Sequence, residues 1–552
     1  MTPPLFSTTI YRTLFGLLGL VYILGLFVPL MDNDSAHHAA IAMHMHLTGD
    51  YVSLIDAGVP YLDKPHLHFW LAALSYKIFG ITTYAYKLPS FLFTIAGTFA
   101  TYRLGKTLYS HETGKLAALI VGSAMAYMLA NMDVRMDAIL TASVALSSWQ
   151  LVRWIRYKRW QNALGAALAL AIGFSTKGHI AVVTPAAGAF FYILQTRSWR
   201  SLYHPQLLLI LAGFALFISP VVYSYYLQYD LHPETMVRGR NNISGVKFIL
   251  WQQNTERFEG DAFGSSGGND YLFFFHSFLW AFAPWSLLAF AAMYNLVRHA
   301  KKLGAEWFTL GTIIPIALIL TFSGFKLPHY LNIIFPAASV LTAGFIYQRI
   351  QESKNTKPYA ITQVIICTLL LLIAAAINIW AFPVYEAWIG LGFLMLVGVV
   401  YWMWKNNKEA WPRIILASVM TSCSVWFLLN TNFYPQLLTY QAGNELAKKV
   451  NTEIGAERVY QQYGLRAFSF DFYTGKLAAP LPDSALSTGK AQWLLADTTG
   501  LKEARAKYEV GRIIRHRDYS VTQLKGKFIN PATRREQLSE LILVEILGKK
   551  EQ

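Results

Sequence analysis

Between residues 32 and 70 the chain reads DNDSAHHAAIAMHMHLTGDYVSLIDAGVPYLDKPHLHFW. This stretch carries Asp32, Asp34, Asp50, Asp56, Asp63 and Lys64, with His37, His38, His44, His46, His66 and His68. Further along stand Asp133, Arg135 and Asp137 in Asn-Met-Asp-Val-Arg-Met-Asp, and Lys177 and His179 in Ser-Thr-Lys-Gly-His. Lys326, His329 and Tyr330 lie in Gly-Phe-Lys-Leu-Pro-His-Tyr. A carboxylate can take the proton from an attacking hydroxyl. A lysine can hold a phosphate as a point charge. A phosphate leaving group needs a cation more than it needs a strong general acid. One base and one lysine therefore suit transfer of a group from a lipid-linked phosphate donor.

The histidines raise a metal reading, which the spacing disfavours. No His-Glu-x-x-His occurs, and the adjacent His37 and His38 point apart on a helix. If the stretch is helical, Ile41 and Met45 share a face that suits lying on lipid.

These groups are strung between apolar runs. The chain has 552 residues, 54% of them hydrophobic and only 14% charged. Runs of about 20 apolar residues each suffice to cross a bilayer as a helix. They fall at 10–30, 67–79, 88–104, 116–130, 138–154, 163–174, 180–194, 207–227, 271–297, 308–322, 330–347, 360–382, 388–404 and 414–429. The run at 67–79 is short, so it is expected to lie partly in the interface, leaving about 13 crossings. The first run has no small-x-small cleavage site before Met31 and reads as an anchor rather than a signal peptide.

The net charge of +16 does not mark a nucleic-acid binder, because Lys and Arg cluster in short loops. Those at 153–159, 197–200, 298–302, 349–357 and 405–413 should face the cytoplasm, with the N-terminus. By parity the opening loop, 31–66, and everything after residue 430 then lie outside. An ionisable group at membrane depth is a functional candidate by default, and here the candidates share the outer helix ends.

From about residue 432 charges become frequent and glycine and proline punctuate short segments. Residues 458–463 and 491–496 read as strands, and 441–451 and 501–508 as helices. The chain is read as a transmembrane domain, 1–430, and a small extracytoplasmic α/β domain, 431–552. Cys367 and Cys423 lie in apolar runs, and no disulfide is expected.

The opening loop resembles the first outer loop of bacterial family 39 glycosyltransferases, which include lipid A aminoarabinose transferases and relatives of the protein O-mannosyltransferases. The likeness rests on Asp34 with His-His-Ala-Ala-Ile-Ala-Met, on Leu-Thr-Gly-Asp-Tyr, and on Tyr-Leu-Asp-Lys-Pro-His-Leu-His-Phe-Trp. The later Lys-Leu-Pro-His-Tyr is also similar to a family motif. The resemblance implies the C-type glycosyltransferase fold, an all-α polytopic membrane protein, with a polyprenyl-phosphate sugar donor and inversion at the sugar carbon. It implies Asp34 as the catalytic carboxylate and Asp137 as the second outer-loop acid. Lys64 matches the lysine that meets the donor phosphate, with Tyr330 nearby and Lys326 in the same motif. Asp63 stands where the family has Glu, a position associated with a divalent metal in some members. The family's basic residue or histidine is not evident around 260–270.

A lipid or glycolipid transporter is the competing reading. Transporters place polar groups near the midplane on broken helices, often with internal repeats. Here the charges sit at outer ends and no repeat shows. The acceptor, whether lipid A, a protein hydroxyl or a glycan, stays open.

Overall fold

The computed structural model describes residues 4–253, 255–256, 270–299, 306–352, 356–477, 479–486 and 491–550. Six helices are long and apolar enough to cross a membrane alone: α1 (Thr8–Leu26), Gln206–Asp230, which begins with α10 (Gln206–Tyr225), Pro328–Gln351, Lys357–Ala381, Ala387–Asn406 and Ala410–Tyr440. Two bent pairs pass the same test together and, counted as one span each, make eight. They are α5 (His111–Gly122) with α6 (Met125–Met132), at 57°, and Phe273–Ala281 with Ser286–Arg298, at 119°. The apolar run at 271–297 is thus sharply folded, and not one straight helix. Two shorter apolar helices are α9 (Ile180–Thr196) and Phe308–Thr321. Three more long helices, α4 (Thr83–Leu108), α7 (Asp137–Tyr157) and α8 (Trp160–Lys177), pack against one another in pairs, α4 on α7 and α7 on α8.

α7 explains how polar residues live in the bundle. Its Ser143 and Ser147 are buried, and their hydroxyls donate to the carbonyls of Ile139 (2.7 Å) and Ser143 (2.8 Å). These two hydroxyls are then not left bare away from water. α3 (Leu67–Phe79) has 13 residues, too few for a full crossing.

The basic loops gather at one end of the bundle. Arg156 Nη1 donates to the Thr107 carbonyl (2.8 Å), the Tyr109 hydroxyl to Glu306 (2.9 Å) and the Tyr11 hydroxyl to Glu112 (3.0 Å). The opening loop sits at the other end. It contains α2 (Asp34–Thr48) and a hairpin of β1 (Ile55–Asp56) and β2 (Val59–Pro60). Ala57 and Gly58, both at positive φ, make its two-residue turn, the geometry that suits a tight hairpin.

α2 does not lie on lipid. Ile41 and Met45 are 2% and 1% exposed, in one core with Phe69 of α3 and Phe472. The physical reason is the C-terminal part of the chain, whose helix Phe468–Thr474 covers the face that the sequence left open.

That part is built on a sheet in the order β3 (Val459–Gln461), β4 (Gln492–Ala496), β6 (Ser539–Lys549), β5 (Tyr508–Asp518). β3 and β4 are parallel and the other pairs antiparallel. Side chains alternate across it, as pleating requires. Trp493, Leu495, Leu541 and Leu543 pack under the helix Ala442–Lys449, and Leu494, Ile542, Val544 and Ile546 under Thr498–Lys507. Hydrogen bonds tie it to the opening loop. Ser469 donates through Oγ (2.8 Å) and N (3.2 Å) to Asp32, and Leu30 N donates to the Tyr473 hydroxyl (2.8 Å). Burial raises the Asp32 carboxyl to about 6, against the lowering effect of the Ser469 bonds.

Candidate functional site

Asp34 is the first residue of α2, but it does not cap the helix. Asn33 does, its side chain accepting from Ser35 N (2.7 Å). The Asp34 carboxylate is left 49% exposed, with Arg135 Nη1 3.7 Å away. Arg135 is steadied from behind, since its Nε (3.1 Å) and Nη2 (3.0 Å) both reach Asp133 Oδ2. The chain entering α2 is also pinned. Lys87, fully buried on α4, donates to the carbonyls of Gly25 (3.1 Å), in the last turn of α1, and Val28 (2.6 Å), just past its end.

Asp137 opens α7 and Lys177 closes α8, and their side chains meet at 2.8 Å with only 4% and 8% exposure. His329 Nε2 stands 3.8 Å from the other Asp137 oxygen. The Lys177 ammonium also lies 4.8 Å from the centre of the Tyr330 ring.

Lys64 follows the hairpin on a segment held by neighbouring helices. The Tyr225 hydroxyl donates to Leu62 O (3.2 Å), and Gln253 Nε2 to Asp63 O (2.9 Å). The result is a cavity of about 500 Å³. Asp34, Lys64, Arg135, Asp137, Lys177 and Tyr330 line its polar side. Leu140, Val183, Ile319, Leu320 and Ile333 give it an apolar wall. Lys326 stands apart, buried with its ammonium 5.4 Å from the centre of the Tyr271 ring, while the flanking Phe325 and Leu327 line the cavity.

Asp63 lines the cavity too, but its carboxylate is engaged by the guanidinium of Arg238, which also pairs with Glu256 at 2.8 Å. A divalent ion there would compete with a cation of the chain itself. Among the described residues no three His, Cys, Asp or Glu side chains cluster as metal ligands. The residues present do not fit a metal at Asp63. The sought basic residue around 260–270 falls, up to residue 269, outside the described residues.

The loop histidines pack. His66 Nε2 lies 2.8 Å from Val52 O and His68 Nε2 3.1 Å from the Tyr86 hydroxyl. Burial pushes both imidazoles down to about 4, so they are neutral near pH 7.

One cation escaped selection from sequence, and another, Arg135, was named in its motif without a role. Arg238 belongs to a loop about 175 residues from Asp63, and no local pattern links the two.

A family model described as dolichyl-phosphate-mannose-protein mannosyltransferase matches residues 63–223. The chain is 24% identical over 407 residues to an undecaprenyl phosphate-alpha-4-amino-4-deoxy-L-arabinose arabinosyl transferase of Pseudomonas aeruginosa, covering 71% of this chain and 70% of that one. The enzyme of that description from Pseudomonas fluorescens is 26% identical over 349 residues, 61% of this chain and 59% of its own. Among solved structures, ArnT from Cupriavidus metallidurans bound to undecaprenyl phosphate superposes with a TM-score of 0.73 at 14% identity, covering 98% of both chains. The apo oligosaccharyltransferase of Archaeoglobus fulgidus superposes at 0.52 and 11% identity, covering 89% of this chain and 70% of that one. The structural likeness shows the fold. The apolar helices, the sequence matches and this fold together make the chain a multi-pass inner-membrane glycosyltransferase that is similar to the family 39 enzymes.

Proposed function

We propose that the chain moves a sugar from a polyprenyl-phosphate donor to an envelope acceptor, with inversion at the sugar carbon. One observation carries this reading. A single cavity joins an exposed carboxylate, Asp34, to several cations and an apolar wall. The apolar wall suits a prenyl tail, and the cations suit its phosphate. The relatives' names contain undecaprenyl phosphate, and the Cupriavidus structure holds it.

The acceptor nucleophile attacks the anomeric carbon while the bond from that carbon to the phosphate oxygen breaks. The bonding pair leaves with the polyprenyl phosphate, and the nucleophile's proton passes to Asp34. Lys64 meets the phosphate, with Tyr330 beside it and Lys326 adding positive charge behind the wall. Asp137 is the second acid. It holds Lys177, and with it the cationic side of the cavity, in place. Lipid, glycan and protein acceptors all fit this chemistry, and lipid A modification and protein glycosylation are its two envelope settings. The test is transfer by the purified enzyme from a polyprenyl-phosphate sugar. Mass spectrometry of envelope lipids and glycans from a deletion strain identifies the missing product.

Lys64→Ala is expected to weaken undecaprenyl phosphate binding by roughly tenfold to a hundredfold. This corresponds to loss of a hydrogen bond to a charged group, about 1.5–3 kcal/mol. Lys64→Arg should lose less. Equal binding by wild type and Lys64→Ala would take this lysine out of the donor site.

In this reading residues 1–430 form the transferase domain and 431–552 an extracytoplasmic domain, with the N-terminus cytoplasmic. Reporter fusions after Arg156 and Arg349 should report cytoplasm, and a fusion at the C-terminus the outside. A cytoplasmic signal at the C-terminus would reverse the assignment.

A further inference from the structure

A cavity of about 540 Å³ lies between α1, α4 and α5 and shares no lining residue with the donor cavity. Ile95 and Phe99, on its α4 wall, are about half exposed, so it opens sideways from the bundle. We infer that this cavity holds one acyl chain of an anionic phospholipid, whose phosphate meets Arg12 and Lys106. Such a site is independent of the transfer reaction.

The lining argues for a hydrocarbon chain. Thr94 and Thr98 line the cavity, but their hydroxyls donate back to the carbonyls of Ser90 (2.9 Å) and Thr94 (2.8 Å). The Tyr22 hydroxyl donates to the Gly122 carbonyl (2.9 Å). A chain lying there therefore strands none of these groups. Water would find few partners along such walls, and a void would forfeit their packing contacts. Gly19 leaves the room, since a Cβ at that position meets nothing within 4 Å. The length fits a chain of one leaflet. From Phe91 to Tyr102, both in the lining, α4 rises about 16 Å at 1.5 Å per residue. Half of a typical hydrocarbon core is about 15 Å. An undecaprenyl tail is far longer than that.

The charge argues for an anionic headgroup. Tyr102, His111 and Lys115 close the cavity at the end of the bundle opposite the opening loop, which the topology proposed above places at the cytoplasmic face. Lys115 is already engaged, by Glu112 at 2.8 Å and by the Tyr11 ring at 4.7 Å. Glu112 also accepts from Leu5 N (3.2 Å) and the Tyr11 hydroxyl (3.0 Å), so its charge is met within the chain. Arg12 and Lys106 differ. Arg12 stands one turn before Phe15 on α1, and Lys106 one turn past Tyr102 on α4, so both continue the faces that line the cavity. Both are exposed, and among the described residues no hydrogen bond or ion pair engages either. The charges of Lys106 and Lys115 both act on His111, so cations crowd at this end. Lipid tails are as apolar as the walls, so hydrophobicity alone selects no lipid. Cations at a membrane surface select the anionic ones.

The test is native mass spectrometry of the full-length enzyme, delipidated and then titrated with phosphatidylglycerol or with zwitterionic phosphatidylcholine. Each Lys or Arg beside an anionic surface is worth roughly fivefold in affinity. The wild type should therefore bind phosphatidylglycerol at one site at least about fivefold more tightly than phosphatidylcholine. Arg12→Gln/Lys106→Gln should weaken phosphatidylglycerol there by roughly tenfold or more and leave phosphatidylcholine unchanged. Gly19→Leu fills the cavity and should remove the site for both lipids. Both variants should keep the wild-type Kd for undecaprenyl phosphate and the wild-type rate of transfer. The charge variant alters only exposed side chains, so it is expected to fold even if Gly19→Leu does not. Equal affinity of the wild type for the two phospholipids, or wild-type phosphatidylglycerol affinity in either variant, would overturn the inference. So would displacement of phosphatidylglycerol from this site by undecaprenyl phosphate, which would give the cavity to the carrier lipid. A dimer that Gly19→Leu dissociates would give it to a second copy of the chain, and would overturn the inference too.

Discussion

Asp34→Asn should lower turnover by about 10²–10⁴-fold, the usual contribution of a positioned base, while undecaprenyl phosphate still binds. The substitution keeps the shape of the side chain and removes its charge. A structural role for Asp34 would most naturally be the cap of α2, and Asn caps about as well as Asp. Asn33 already holds that place through Ser35 N. The variant should therefore fold and keep α2. The Arg135 guanidinium, 3.7 Å away, loses one acidic neighbour but keeps Asp133 and the nearby Asp137. The effect should appear in kcat and kcat/KM together, as for an interaction made in the transition state. Single-turnover transfer measured beside donor binding separates the outcomes. Near-normal transfer would leave Asp34 a bystander and make Asp137 the leading acid.

The parts of this site that were legible in the sequence are those whose meaning is local. Asp63-Lys64-Pro65 announces itself because charge is rare between apolar runs, and α7 opens on Asp137 within a charged motif. That several helices are apolar enough to cross a membrane follows from local composition alone. Pairings across the fold were hidden. Asp32 meets Ser469 across 437 positions and Asp63 meets Arg238, and no periodicity reports such contacts. The strands β5 and β6 were hidden for another reason. β6 is buried on both faces near its centre, so its apolar run lacks the alternation that marks a half-buried strand, and β5 is a charged edge. The lipid-facing reading of Ile41 and Met45 failed because a helix's apolar face does not say what covers it. Here the cover arrives from residues 468–474.

The second large effect is expected at Asp137, and it appears first in stability. The carboxylate meets Lys177 at 2.8 Å with both side chains under a tenth exposed. Removing one partner of a buried pair leaves the other charge unpaired, at a cost of roughly 3–5 kcal/mol. Whole domains are stable by only about 5–15 kcal/mol. Asp137→Asn should therefore lower the thermal midpoint of the purified enzyme markedly and reduce the amount recovered in folded form. The double variant Asp137→Asn/Lys177→Met removes both charges and should regain most of that midpoint. It should transfer little, because the Lys177 cation beside Tyr330 has gone from the donor cavity. Thermal unfolding and transfer, measured on the same samples, decide the role. If Asp137→Asn keeps the wild-type midpoint yet loses transfer, Asp137 acts on the reacting groups, and its bond to Lys177 is incidental. If it loses the midpoint and the double variant restores it, Asp137 serves the reaction by holding a buried cation where the phosphate departs.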